Sequence, residues 1–484
     1  MSIAPICFRF KSVEVAWTDE GGVGQNKTDR GWLQRYAAHR ETRKKSAIKM
    51  IASLVNYVQG AQRRSRRAFR DSKRPQTVTV LAGCSRIMDI VKKKLIQQGV
   101  AMSTSSLYDV LASAAQNASA ITLRADLIPA SSLPEDDRFF VLPPTYAEIG
   151  HLASPVRDDG TNQYILIESP QSWANRLEEL LDRPEVGVGA LKVTAGGRTM
   201  TVNELPHRVF DALLRDSELA GQAFRATALG QSLTEARADN ATPLLENAPG
   251  TLLFGAWDSF AGAKMGAAKW PAALSGQIMG FDALQTKKTG IRIDPMNIAK
   301  AAVTGFKAEN RAEVWTIDET RAAKDAKGKP VPLEAASEVG HGHIPAALAT
   351  KGAWVSHIEL RSSISLTRLR RYHFPVDKTV SAEADSAART YLAALGLWLM
   401  HTRLLAGLEL RAGAELDATK ADFVLRTPLQ ADVTLTVTAE SVAQALQHAI
   451  VATKKAGFRF AAPAEFVASA RLEQLIQTSL TLSQ

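Results

Sequence analysis

The chain has 484 residues, 45% of them hydrophobic, enough for one large globular domain or about two to three ordinary ones. Its two cysteines, Cys7 and Cys84, exclude a disulfide framework and a thiolate metal site and fit a reducing cytoplasm. No run nears the ~18 consecutive apolar residues of a membrane helix, and MSIAPICFRFKSVEV has no secretory pattern.

The net charge of +10 is unevenly spread. Residues 1–101 carry 21 Lys and Arg against 7 Asp and Glu, whereas the remainder carries 38 against 42. Nucleic-acid contact by the main body therefore needs a local surface rather than overall charge.

Residues 1–101 form a basic leader, with a helix expected over GWLQRYAAHRETRKKSAIKMIASLVNYV. The run Arg63, Arg64, Arg66, Arg67, Arg70, Lys73 and Arg74 suits phosphate binding by counterion release. It reads as a nucleic-acid arm, a solvated tail, or sequence upstream of a native start. The last is favoured, because MSTSSLYDVLASAA from Met102 has a Ser/Thr cap followed by Leu107, Val110 and Leu111 at helical spacing.

Residues 102–484 have the pattern of an α+β protein. Ile121, Leu123, Ala125 and Leu127 alternate as a half-buried strand, and Tyr164 to Ile167 reads as a buried one. Ser169 and Pro170 then open a helix with Trp173, Leu177, Leu180 and Leu181 on its apolar face, ending at Pro184. Asn175 and Arg176 lie off that face, where they are exposed groups or RNA contacts. A turn at Gly196-Gly197 and a helix around Val209 to Leu214 follow.

Leu252 to Trp257 reads as a short buried strand, followed by a loop of small residues with Lys264 and Lys269, which suits a phosphate although no phosphate-loop spacing is present. Pro271 fits the first turn of a helix with Leu274, Ile278 and Phe281 on one face. The chain then returns through Lys287, Lys288 and Arg292 to Asp294-Pro295.

Ala312 to Ile317 reads as a strand and Asp318 to Pro345 as a long functional loop. His341 and His343 within it lack the further ligands of a closed zinc site, so no metal is expected. Trp354 to Leu366 reads as paired strands, with Arg361, Arg368, Arg370 and Arg371 toward their end as a solvated rim or a row that positions phosphates. The longest helix carries Ala384, Ala388, Tyr391, Leu395, Trp398 and Leu399 as a core stripe. Val433, Leu435 and Val437 alternate in a late strand, and Val442, Leu446, Ala449 and Ile450 mark a last helix closing near Gly457.

Four blocks in order resemble one family: YILIESPQSWANRLEEL, TLLFGAWDS with GAAKWPAALSGQIMGFDAL, IRIDPMNI, and SEVGHGHIPAAL followed by LRSSISLTRLRRYHFP. They are similar to the RAMP-superfamily protein of type I-U (also called I-G) CRISPR systems, the Cas-seven-type backbone subunit of Cascade. The resemblance implies an RRM-like, ferredoxin-like RAMP core with large insertions and no catalytic activity or cofactor. It also implies several copies along one CRISPR RNA, contacts with other Cascade subunits, and target DNA reached through the guide. The motif positions are Asn175, Arg176, Lys264, Lys269, Arg292, His341, Arg368, Arg370 and Arg371, and their RNA role is inferred from their chemistry.

A RAMP endoribonuclease is the alternative, with Asp258, Asp282, Asp294 and His341 as acid-base groups. Against it, aspartates at strand ends and Asp-Pro turns commonly cap backbone amides. A DNA-binding regulator acting through the basic leader is a third reading.

Overall fold

The computed structural model describes residues 106–130, 137–258, 268–299, 304–310 and 312–483. The basic leader and the small-residue loop with Lys264 lie outside the described residues.

Helix α1, Leu107–Asn117, starts as its sequence demands: Ser106 caps the Asp109 amide at 3.2 Å, and the Asp109 carboxylate accepts from the Ser106 amide at 3.0 Å. Strand β1, Ala120–Pro129, follows with Ile121, Leu123, Ala125 and Leu127 buried. Strand β2 is Asn162–Glu168 and helix α2 is Pro170–Glu178, capped by Ser169. Strand β3, Leu274–Arg292, is followed by β4, Ile344–Val355, and β5, His357–Ser365. Helix α3, Ala382–Leu405, strand β6, Ala414–Arg426, and helix α4, Ala439–Lys455, complete the main layer.

The strands pair antiparallel in the order β6, β1, β5, β3. With α2 between β1 and β3, and α3 between β5 and β6, the sequence order is β-α-β-β-α-β and the spatial order is fourth, first, third, second. Strand β3 also pairs with β2 through Ile278–Ala283 and with β4 through Leu284–Arg292.

Alternation assigns the two faces of this sheet. Ile121, Leu123, Leu360, Ile364, Leu274 and Ile278 are buried on one face, and Trp173 of α2 packs there with its indole N–H donating to Ser362 at 3.1 Å. Gly276 makes that approach possible: a Cβ at this position would stand 2.7 Å from Trp173 Cδ1. Tyr391, Leu395 and Trp398 of α3 are buried as the stripe requires. The other face is polar.

A second sheet of five strands, centred on Ala464–Ala468 between Leu191–Ala195 and Ser217–Leu219, forms a separate layer. Its hairpin turns at Gly196-Gly197, both at positive φ.

Several expectations are corrected. Leu274 to Phe281 is strand, not helix: Leu274 and Ile278 share a face under either period, whereas Phe281 lies on the opposite one. Leu252 to Trp257 is strand only at its end: Leu252 to Phe254 belong to the helix Gly250–Phe254, and Gly255 at φ 81° turns the chain into the short strand Ala256–Asp258. Such brief, fully apolar runs do not distinguish the two periods.

Trp354 to Leu366 is not a pair of strands. Strands β4 and β5 run successively along β3 and meet at Ser356, opposite Asp282 at φ 49°. Helix α2 ends at Glu178, and Pro184 instead begins a 3₁₀ turn. Asp211 splits the Val209 to Leu214 helix into two short pieces. Only Trp315–Thr316 is strand within Ala312 to Ile317. Helix α4 is not the last, since Ala470–Ser483 follows.

Candidate functional site

The polar face of strands β6, β1, β5 and β3, part of a nine-stranded sheet, places side chains in rows across the strands. Register pairs Arg124 of β1 with Arg361 of β5 and Asp422 of β6, and Arg361 in turn with Gln277 of β3. The neighbouring row is Val424, Thr122, Ser363 and Ser275. These residues line an open concavity of about 770 Å³.

Two like charges opposite each other would repel. Here Glu359, fully buried two residues along β5, accepts a hydrogen bond from the Arg361 Nε on one oxygen and pairs by charge, without a hydrogen bond, with Arg124 on the other. The side chains of Arg124 and Arg361 remain 64% and 56% exposed, so guanidinium N–H groups face solvent from a fixed base. Two guanidiniums and one carboxylate leave one unit of positive charge. Along β6, Lys420 pairs with Asp422 at 2.5 Å and Arg426 with Asp432 at 3.4 Å. The Asp422 hydrogen bond holds the Lys420 ammonium pKa above its ordinary value.

A second concavity of about 820 Å³ adjoins the first at Pro170 and Ser275. Asn175 lines it, with Gln171, Arg198, Asn203 and Arg208. This is where the structure places the first of the sequence-expected residues.

The others are dispersed. Arg176 points inward: it pairs with the buried Glu168 at 2.6 Å and donates to the carbonyls of Glu409 and Leu410 at 2.6 and 2.7 Å. Lys264 is outside the described residues. Lys269 lies 5.5 Å from the ring centre of exposed Trp257. Arg292 donates to the carbonyls of His341 and Gly342 at 2.9 and 3.0 Å.

The His341 imidazole is 3.9 Å from Asp294. Arg368 donates to the Ala272 carbonyl and Arg370 to that of Ala118, whereas Arg371 is exposed. Arg176, Arg292, Arg368 and Arg370 thus tie backbone carbonyls together, while Asn175, Lys269, His341 and Arg371 reach the surface.

The aspartates of the nuclease reading have separate tasks. Asp258 takes both oxygens to Arg225 at 2.8 and 2.9 Å. Asp282 accepts from Arg157 at 2.7 Å and Ser356 at 2.9 Å, and the Arg157 bond chiefly holds its pKa below the usual carboxylate range.

Asp294 accepts from the amides of Gly342 at 2.7 Å and Met296 at 2.9 Å. Burial pushes its pKa up, but these amides and that of Ile298 outweigh it and keep the group below its ordinary value. His343 Nδ1 accepts from the Asp294 amide at 3.2 Å, locking the two segments together. No group of three or more His, Cys, Asp or Glu side chains suited to a metal ion occurs among the described residues. No helix among them is long and apolar enough to cross a membrane.

Sequence reasoning missed Arg124, Gln277 and Ser275. Their signal was present in β1, where Thr122, Arg124 and Asp126 fill the polar positions of the alternation. It was hidden in β3 by the helical misreading.

No curated protein matches the chain. A chain of a solved structure titled "CRISPR RNA-guided surveillance complex, pre-nicking" aligns at 11% identity and a TM-score of 0.26, covering 74% of this chain and 99% of that one. Residues 121–285 match the family model described as CRISPR-associated protein GSU0053. That stretch takes in β1 from Ile121, β2, α2 and β3 as far as Gln285, and over it the chain is similar to a CRISPR-associated protein.

Proposed function

We propose that the chain is a non-catalytic, CRISPR RNA-binding backbone subunit of a type I-U/I-G Cascade complex, with an RRM-like RAMP core. Several copies coat one guide and leave its bases free to pair with target DNA. The observation that carries this reading is the outward-facing Arg124 and Arg361 pair, anchored on buried Glu359 at the centre of the polar sheet face. Fixed guanidiniums flanked by Ser275, Gln277 and Ser363 suit a sugar-phosphate backbone, which is gripped without reading sequence. The antiparallel β-α-β-β-α-β sheet supports the RRM-like assignment. Similarity of residues 121–285 to a CRISPR-associated family supports the biological setting.

The test is to purify the chain from cells that also express a CRISPR array and sequence the RNA that accompanies it. Guide RNA of uniform length with regularly spaced protected segments, lost in Arg124→Ala/Arg361→Ala, is the expected result. Random or absent RNA overturns the proposal. Cleavage of the array transcript by the purified chain would replace it with the endoribonuclease reading.

A further inference from the structure

We infer that His357, backed by Phe281, is a stacking platform for one unpaired nucleobase at the end of the polar sheet face. The inference rests on the nucleic-acid reading of that face and adds a place where a base, rather than a phosphate, is held.

Phe281 of β3 and His357 of β5 are register partners, and their rings lie parallel, 4.4 Å between centres and 2° apart in plane. Arg361 brings its guanidinium carbon to 5.3 Å from the Phe281 ring centre, so the arginine of the phosphate-facing row also packs against the aromatic pair. The arrangement is braced from behind. Ser356 Oγ lies 3.1 Å from His357 Nδ1 and 2.9 Å from Asp282, which is itself tied to Arg157 at 2.7 Å.

A ring pair serving only as core would bury both members. Phe281 is half-buried, but His357 is exposed. Phe281 stacks on one face of the imidazole, and His357 as a whole is exposed, so a base can reach the ring from solvent. A flat, exposed ring already fixed in orientation loses little freedom when a base stacks on it. Since every base has a π-face, the site tolerates any base.

Arg361 and His357 flank the same Phe281 ring, the guanidinium carbon 5.3 Å and the imidazole centre 4.4 Å from its centre. One short single-stranded segment can therefore touch both groups.

The experiment measures binding of a fluorescently labelled single-stranded guide RNA by the full chain at pH 8, across a salt series, with folding checked by thermal melting. His357→Ala is expected to weaken binding about tenfold with an unchanged salt slope, because stacking releases no counterions. His357→Tyr is expected to restore it. Arg124→Ala/Arg361→Ala is expected to weaken binding and flatten the slope. If that double variant behaves so while His357→Ala binds like wild type, or loses salt slope as well, the stacking platform is overturned and the nucleic-acid face stands. If the wild-type chain binds no RNA, both readings fall.

Discussion

Arg124 and Arg361 stand opposite each other on adjacent strands, and each turns its Nε onto the same buried carboxylate, Glu359. That carboxylate converts a repulsive cross-strand pair into a fixed, outward-facing one. Removing it leaves two neighbouring cations without their counterion. Because both arginines are more than half exposed, water screens part of the loss, and Glu359→Gln is expected to cost about 1–3 kcal/mol. Chemical denaturation measures this, and RNA binding should weaken with it as the guanidiniums lose their positions.

Gly276 lies under Trp173. The added methyl of Gly276→Ala would meet Trp173 and Ser362 at 2.7 Å and force α2 away from the sheet. A loss of about 1–3 kcal/mol is expected from overpacking, read as a lower melting temperature. Ala at this position with wild-type stability would mean that α2 does not pack as described.

Arg176 separates folding from binding. Its removal leaves the fully buried Glu168 with Arg411 at 3.1 Å and frees the carbonyls of Glu409 and Leu410. Arg176→Ala is expected to destabilise by about 3 kcal/mol, as for a broken buried pair, while the folded fraction keeps its RNA affinity. Normal stability with lost RNA binding would instead return Arg176 to the surface role its sequence position suggested.

His401 on α3 gives a pH dependence. Burial lowers its pKa below the ordinary 6.5, and its Nδ1 has no hydrogen-bond partner. The folded imidazole therefore stays neutral where the unfolded one takes a proton. Its contribution to stability is complete above pH 6.5 and declines as pH falls from there toward the folded value. Melting curves between pH 7.5 and 5, each at about 0.15 M salt, should fall less steeply for His401→Phe than for wild type. Parallel curves would exclude His401 as the source.

The sequence was most legible where one period admitted one structure. Strand β1 shows clean alternation, and α3 carries a stripe too long for a strand. Strand β3 was misread because Leu274 and Ile278 fit both periods, and the need for Gly276 became evident only once Trp173 was seen above it. Strand β6 escaped notice because Asp417, Lys420 and Asp422 interrupt its few buried residues, Ala414, Leu416 and Phe423.

The site was harder to read for a related reason. Whether an arginine is available to a ligand depends on distant acceptors: Arg176 is taken up by Leu410 and Arg368 by Ala272. Arg124 looked like an ordinary exposed strand residue. Only the pairing of β1 with β5 places it opposite Arg361 and beside Glu359.

The most direct measurement is zero-length ultraviolet cross-linking of the chain to its co-purified guide RNA, with the attached peptides identified by mass spectrometry. Adducts are expected in peptides of β1 around Arg124, β5 from His357 to Ser363, and β3 from Ser275 to Phe281. Adducts confined to the second sheet and the Ala470–Ser483 helix, or none on this face, would contradict it.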